Sequence, residues 1–150
     1  MIFSWVTFSV RLVRTYIQWI RKMHNKVVLH FLSGKIVKGI TEDFFPNKDS
    51  FHIHDSDTEK ISEVAVSQLK GVFFVKTFEG EKDYKERQDI ERRGLGKKIE
   101  VKFEDGESIV GYTSGFSRDR KGFFLFPSDP GSNTEKIFVV IDATKQIAFI

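Results

Sequence analysis

Residues 26–57 read KVVLHFLSGKIVKGITEDFFPNKDSFHIHDSD, and residues 98–129 read KIEVKFEDGESIVGYTSGFSRDRKGFFLFPSD. Superimposed at an offset of 72 without a gap, they share Lys26/Lys98, Phe31/Phe103, Gly34/Gly106, Gly39/Gly111, Thr41/Thr113, Phe44/Phe116, Phe51/Phe123, Ser56/Ser128 and Asp57/Asp129. Two glycines and three phenylalanines in register mark an internal duplication. The tails match as well, at an offset of 75: residues 66–75 (VSQLKGVFFV) lie over residues 141–150 (IDATKQIAFI). Each copy has room for about five strands.

Within a copy the local signals agree with one another. Val27, Leu29 and Phe31 alternate with polar neighbours, as do Ile99, Val101 and Phe103, the pattern of a half-buried first strand. Ser33-Gly34 and Asp105-Gly106 are two-residue hairpin signals. Gly39 and Gly111 fall inside the second strand, where a glycine marks a bulge or a sharp bend. Residues 46–49 (PNKD) and 118–121 (RDRK) are polar turns before the third strand.

Composition fits this reading. Sixteen Phe stand against three Tyr and two Trp, and Phe favours strands. The chain has no Cys, which excludes disulfides, thiol catalysis and Cys-based zinc sites. The net charge is +3, but residues 1–25 hold Arg11, Arg14, Arg21 and Lys22 and no acid, so the remainder carries −1. The basic character belongs to the N-terminal segment. A near-neutral body disfavours nucleic acid as a partner.

That segment, residues 1–25, has a helical period. Ser4, Thr7, Arg11, Arg14, Gln18, Arg21 and Lys22 form a polar stripe, and Phe3, Trp5, Phe8, Leu12, Tyr16 and Trp19 lie in the wide apolar face. A membrane span is disfavoured, because Arg11 and Arg14 would cost roughly 2.5–3.5 kcal/mol each near mid-bilayer. A cleaved signal peptide fits poorly, since the first Ala is Ala65. Three readings stay open. The helix docks on the barrels or a partner, or it lies in a membrane interface. Otherwise residues 1–22 are an extension ahead of a natural start at Met23.

Between the copies, residues 78–97 form a charged linker. Glu81/Lys85 and Asp83/Arg87 are i,i+4 pairs that suggest a short solvated helix, broken by Gly94 and Gly96. The expected organisation is an all-β protein of two tandem small β-barrels, residues 26–77 and 98–150, preceded by an amphipathic helix. Alternating Phe in Gly122-Phe123-Phe124-Leu125-Phe126 leaves one face for packing between the barrels.

The strand–Gly–bent-strand pattern resembles the Sm-like small barrel. The Asp and Asn of the Sm RNA pocket would fall at Phe45 and Asp49, or at Ser117 and Lys121, so the pocket pattern is missing from both copies. The second copy with its leader also resembles a PilZ domain, the cyclic-di-GMP receptor fold. The PilZ Arg pair corresponds to Arg87 and Arg92, one residue further apart than in the motif, with Arg93 following. The D/N-x-S-x-x-G motif corresponds to Ser117, with Gly115 before it and Gly122 in a displaced position. Residues 110–133 (VGYTSGFSRDRKGFFLFPSDPGSN) and 137–143 (IFVVIDA) are similar to an uncharacterised bacterial family of PilZ-like domains. That resemblance covers nearly all of residues 26–150. It implies a module that occurs alone or attached to signalling domains.

The candidate ligand residues are therefore Arg87, Arg92, Arg93, Ser117, Arg118 and Arg120, because Arg suits bidentate contacts to phosphate and guanine. His52-x-His54 puts two imidazoles on one strand face. The matching positions are Phe124 and Phe126, so the face asks for half-buried planar bulk rather than metal ligands, and no metal or cofactor is expected. No P-loop, dinucleotide fingerprint or triad context is present in the sequence. The expectation is a non-enzymatic bacterial regulatory or adaptor module, cytoplasmic or peripheral on the inner membrane. Its expected partner is a protein or signalling module, with a cyclic dinucleotide or a membrane surface as further partners. A structural scaffold held by residues 1–22 is the alternative, and Sm-like RNA binding comes third.

Overall fold

A computed structural model describes residues 25–150. The helix expected over residues 1–22, with its Phe3, Trp5, Phe8, Arg11, Leu12, Arg14, Tyr16, Trp19, Arg21 and Lys22, lies outside them. The described chain is all β. Five strands form the first half: β1 (Asn25–Phe31), β2 (Ile36–Thr41), β3 (Ser50–Asp55), β4 (Ile61–Ala65) and β5 (Leu69–Val75). Five form the second: β6 (Lys97–Phe103), β7 (Ser108–Thr113), β8 (Gly122–Pro127), β9 (Thr134–Val140) and β10 (Thr144–Phe149). A single 3-10 turn precedes the last strand of each half, at Val66–Gln68 and Ile141–Ala143.

The two halves share one antiparallel sheet, in the order β10-β6-β7-β8-β9-β5-β1-β2-β3-β4. Each half has the same internal order, fifth strand beside first, then second, third and fourth. The ladder between β5 and β9 joins them, with Val72 opposite Phe138 and Phe74 opposite Lys136. The expected repeats are present, and this ladder joins them into one sheet. Burying a strand edge costs its hydrogen bonds to water unless another strand replaces them, and β5 and β9 do this for each other.

The duplication extends to individual bonds. The Thr41 hydroxyl donates to the His52 carbonyl at 2.9 Å, and Thr113 to that of Phe124 at 2.8 Å. Ser56 donates to Lys38, and Ser128 to Val110. The shared Thr thus ties the second strand to the third, and the shared Ser ties the loop after the third strand back to the second, in each half. Gly34 and Gly106 turn the first hairpins with φ of 91° and 92°, a region that costs other residues strain. Gly39 and Gly111 serve differently. A Cβ on either would sit 2.3 Å from a carbonyl oxygen of the third strand, His54 or Phe126. The pairing there is two residues long in each half. Glycine lets the strands cross closely where the sheet turns.

One hydrophobic core spans both halves, from Val27, Leu29 and Phe51 to Val101, Phe123 and Val139. Phe44, on the loop after β2, holds it together. Its ring meets Phe51 and Phe74 of its own half and Phe124 and Phe138 of the other, at centroid distances of 5.1, 5.7, 6.4 and 5.1 Å. The packing of Phe124 between the halves follows the expectation from the alternating Phe run. Lys70 adds a polar tie: buried, it donates to Asp105 at 2.8 Å and to Glu107.

The linker departs from expectation. Residues 78–96 contain turns and bends and no helix. The i,i+4 pairs are worth only a few tenths of a kcal/mol each, too little for an isolated helix this short. Arg87 pairs with Asp89 instead of Asp83, at 3.0 Å. The segment is held by tertiary bonds to the second half.

Candidate functional site

Asp129, on the loop between β8 and β9, pins the linker. It is 4 % exposed. It accepts the Tyr84 hydroxyl at 2.7 Å and the backbone N–H groups of Arg87 and Gly131 at 3.0 and 2.8 Å. The Tyr84 hydrogen bond, followed by the two backbone donors, holds its carboxyl below the usual carboxylate range. The same bond raises the Tyr84 phenol. Ser132 donates to Glu86, Arg92 Nη1 to the Pro127 carbonyl at 2.9 Å, and Tyr112 to the Ile90 carbonyl at 3.2 Å.

This docking lays residues 89–96 along the second half and creates a groove of about 640 Å³. Arg92, Arg93 and Lys98 supply its cations, Asp89 and Glu91 its acids, and the buried Tyr112 part of its wall. Arg87 does not join them. It lines a separate cavity of about 340 Å³ with His30 and Ile137, and its guanidinium is paired with Asp89. Ser117, Arg118 and Arg120 sit on the loop between β7 and β8, where the Arg118 guanidinium lies 5.7 Å from the Phe116 ring centroid. The six residues singled out from sequence thus separate, with Arg92 and Arg93 together in one groove.

Sequence reasoning missed Lys98, Tyr112 and Asp129 as members of this region. A signal existed for Asp129, which the first copy repeats as Asp57. For Tyr112 the signal was a phenol at the position held by Ile40 in the first copy.

A second concavity, of about 320 Å³, lies on the first half and is lined by Ile40, Asp43, His52, His54 and Ile61. Both histidines are exposed rather than half-buried, whereas Phe124, at the place of His52 in the second copy, packs against Phe44 and Phe138. His52 Nδ1 lies 2.7 Å from Asp43 Oδ2, and that hydrogen bond raises its pKa. The Thr41 hydroxyl lies 3.3 Å from Asp43 Oδ1 and donates to the His52 carbonyl at 2.9 Å. Among the described residues no three His, Asp or Glu gather as a metal cage, and no helix is long and apolar enough to cross a membrane.

Comparison with curated proteins and with solved structures gives no match. Residues 23–150 match the model of the Family of unknown function (DUF6982), and the chain belongs to that family.

Proposed function

We propose that this chain is a non-enzymatic regulatory or adaptor module of bacterial signalling, PilZ-like in class. Each repeat is a small five-stranded barrel in this reading, and the groove at Arg92 and Arg93 takes an anionic, phosphate-bearing ligand such as a cyclic dinucleotide. The observation that carries it is the convergence of Arg92, Arg93 and Lys98 around Tyr112. A guanidinium matches two phosphate oxygens at once. Asp89 and Glu91 offset part of the charge and accept hydrogen bonds, which suits a ligand that carries N–H donors as well as phosphate, as guanine does. The module works in the cytoplasm, with peripheral attachment to the inner membrane through residues 1–22.

Titration calorimetry of the full chain with cyclic di-GMP should give a saturable heat. Arg93→Ala or Lys98→Ala should then weaken binding by about tenfold, the worth of one charge-assisted hydrogen bond. No heat at high protein concentration would remove the ligand-sensing reading.

A further inference from the structure

We infer that two copies of this chain associate through β10, antiparallel and about a two-fold axis at Ile147. The inference is independent of the ligand reading and comes from comparing the two copies of the repeat. β5 and β10 are the same strand of the module. β5 is buried along nearly its whole length because β9 pairs with it. β10 pairs with β6 on one side, and among the described residues nothing pairs with its other edge. Phe149 is 51 % exposed there, whereas its counterpart Phe74 is 4 % exposed. Ile150 is 62 % exposed.

A β edge with bare backbone groups and exposed apolar side chains is a template for another strand. The remaining question is which strand fits. The other free edge of the sheet, β4, is the counterpart of β9, so a head-to-tail chain of copies would repeat the β5–β9 ladder. The sequence removes the anchors of that ladder. Phe124 and Phe138 become His52 and Glu63, and the acids Asp105 and Glu107 that hold Lys70 become Ser33 and Lys35. Glu63 would face Ile147, and Lys35 would face Lys145. Ile61, 70 % exposed on that edge, would face Phe149, but the other two pairs set a carboxylate against an apolar side chain and a cation against a cation.

β10 complements itself. In an antiparallel pair centred on Ile147, Phe149 lies opposite Lys145 of the second copy, twice over, and Ile147 lies opposite its own symmetry mate. The chain already uses this Phe–Lys pairing: Phe74 is opposite Lys136, whose ammonium lies 4.9 Å from the ring centroid. Centring the pair on Lys145 would instead oppose two cations. Two-fold association is also the commonest closed symmetry, and it leaves no further β10 edge to propagate.

Sedimentation of the full chain over a range of concentrations should show a monomer–dimer equilibrium, rising from 17.4 kDa toward twice that mass. Phe149→Lys sets Lys against Lys145 and should abolish the dimer. Adding Lys145→Glu in the same chain should restore it through two ion pairs in that register. Ile147→Cys in this cysteine-free chain should oxidise to a covalent dimer. Circular dichroism and melting identify any variant that has failed to fold. A monomer at every concentration would overturn the proposal. So would open-ended oligomers, or a Phe149→Lys dimer loss that Lys145→Glu leaves unrescued.

Discussion

At the scale of the residue, the two copies explain each other. Gly111 marks a bend through a close contact: its missing Cβ leaves room for the Phe126 carbonyl, 2.3 Å from where that atom would be. Gly111→Ala must push β7 and β8 apart and should cost about 2–3 kcal/mol, as overpacking of a closed site does. Gly115, one loop further on, has no atom within 4 Å of such a Cβ. Gly115→Ala should stay within about 0.5 kcal/mol. Urea unfolding of the two variants checks this, and equal losses would refute the close-crossing account.

At the scale of the element, the ladder between β5 and β9 is where charge and burial meet. Lys70 is buried, which opposes its charge, but its hydrogen bonds to Asp105 and Glu107 outweigh that and raise its pKa. His30 packs beside it, with its ring 4.3 Å from that of Phe73. Burial first, then the Lys70 cation, lower the His30 pKa below 6.5. The unfolded chain therefore takes up this proton at a higher pH than the folded one. The stability involved is fully present above pH 6.5 and is lost as pH falls through the folded value. The His30 contribution should decline from pH 7 toward pH 5, by no more than about 1.4 kcal/mol per pH unit for one proton, while His52, whose pKa is raised by Asp43, works in the opposite direction. His30→Phe should flatten that decline. Asp105, held low by its bond from Lys70 and the Glu107 N–H, adds a separate loss at more acid pH. A decline unchanged in His30→Phe would locate the proton elsewhere.

At the scale of the whole molecule, one sheet and one core predict one unfolding event. Calorimetric and van't Hoff enthalpies should agree, although the chain is built from two copies of one unit. Phe44 and Phe116 test the coupling. They are equivalent in sequence, and each packs edge-on against its own third strand at 5.1 Å. Phe44 also reaches Phe124 and Phe138 across the junction, while Phe116 meets the half-exposed Phe149 and the Arg118 guanidinium. Phe44→Ala should cost about 3 kcal/mol and Phe116→Ala roughly half of that. Two separate thermal transitions, or equal costs, would mean that the halves fold independently.

The sequence by itself determined what is local. Alternation placed β1 and β6, the Gly-bearing dipeptides placed their hairpins, and the duplication placed the strands of the second half over those of the first. It also marked Thr113, Ser128 and Asp129 by repeating them. Tertiary structure decided which edges meet. β5 and β10 carry nearly the same pattern, yet one is buried and the other open, because burial of an edge depends on a partner far along the chain and not on the strand's own residues. The fate of the arginines followed the same rule. Arg92 and Arg93 share a groove while Arg87, Arg118 and Arg120 lie elsewhere, since the path of an irregular linker is set by the hydrogen bonds it finds. Here those bonds are the ones Asp129 accepts. Period and spacing report how each residue meets solvent; only the folded chain brings residues distant in sequence to the same place.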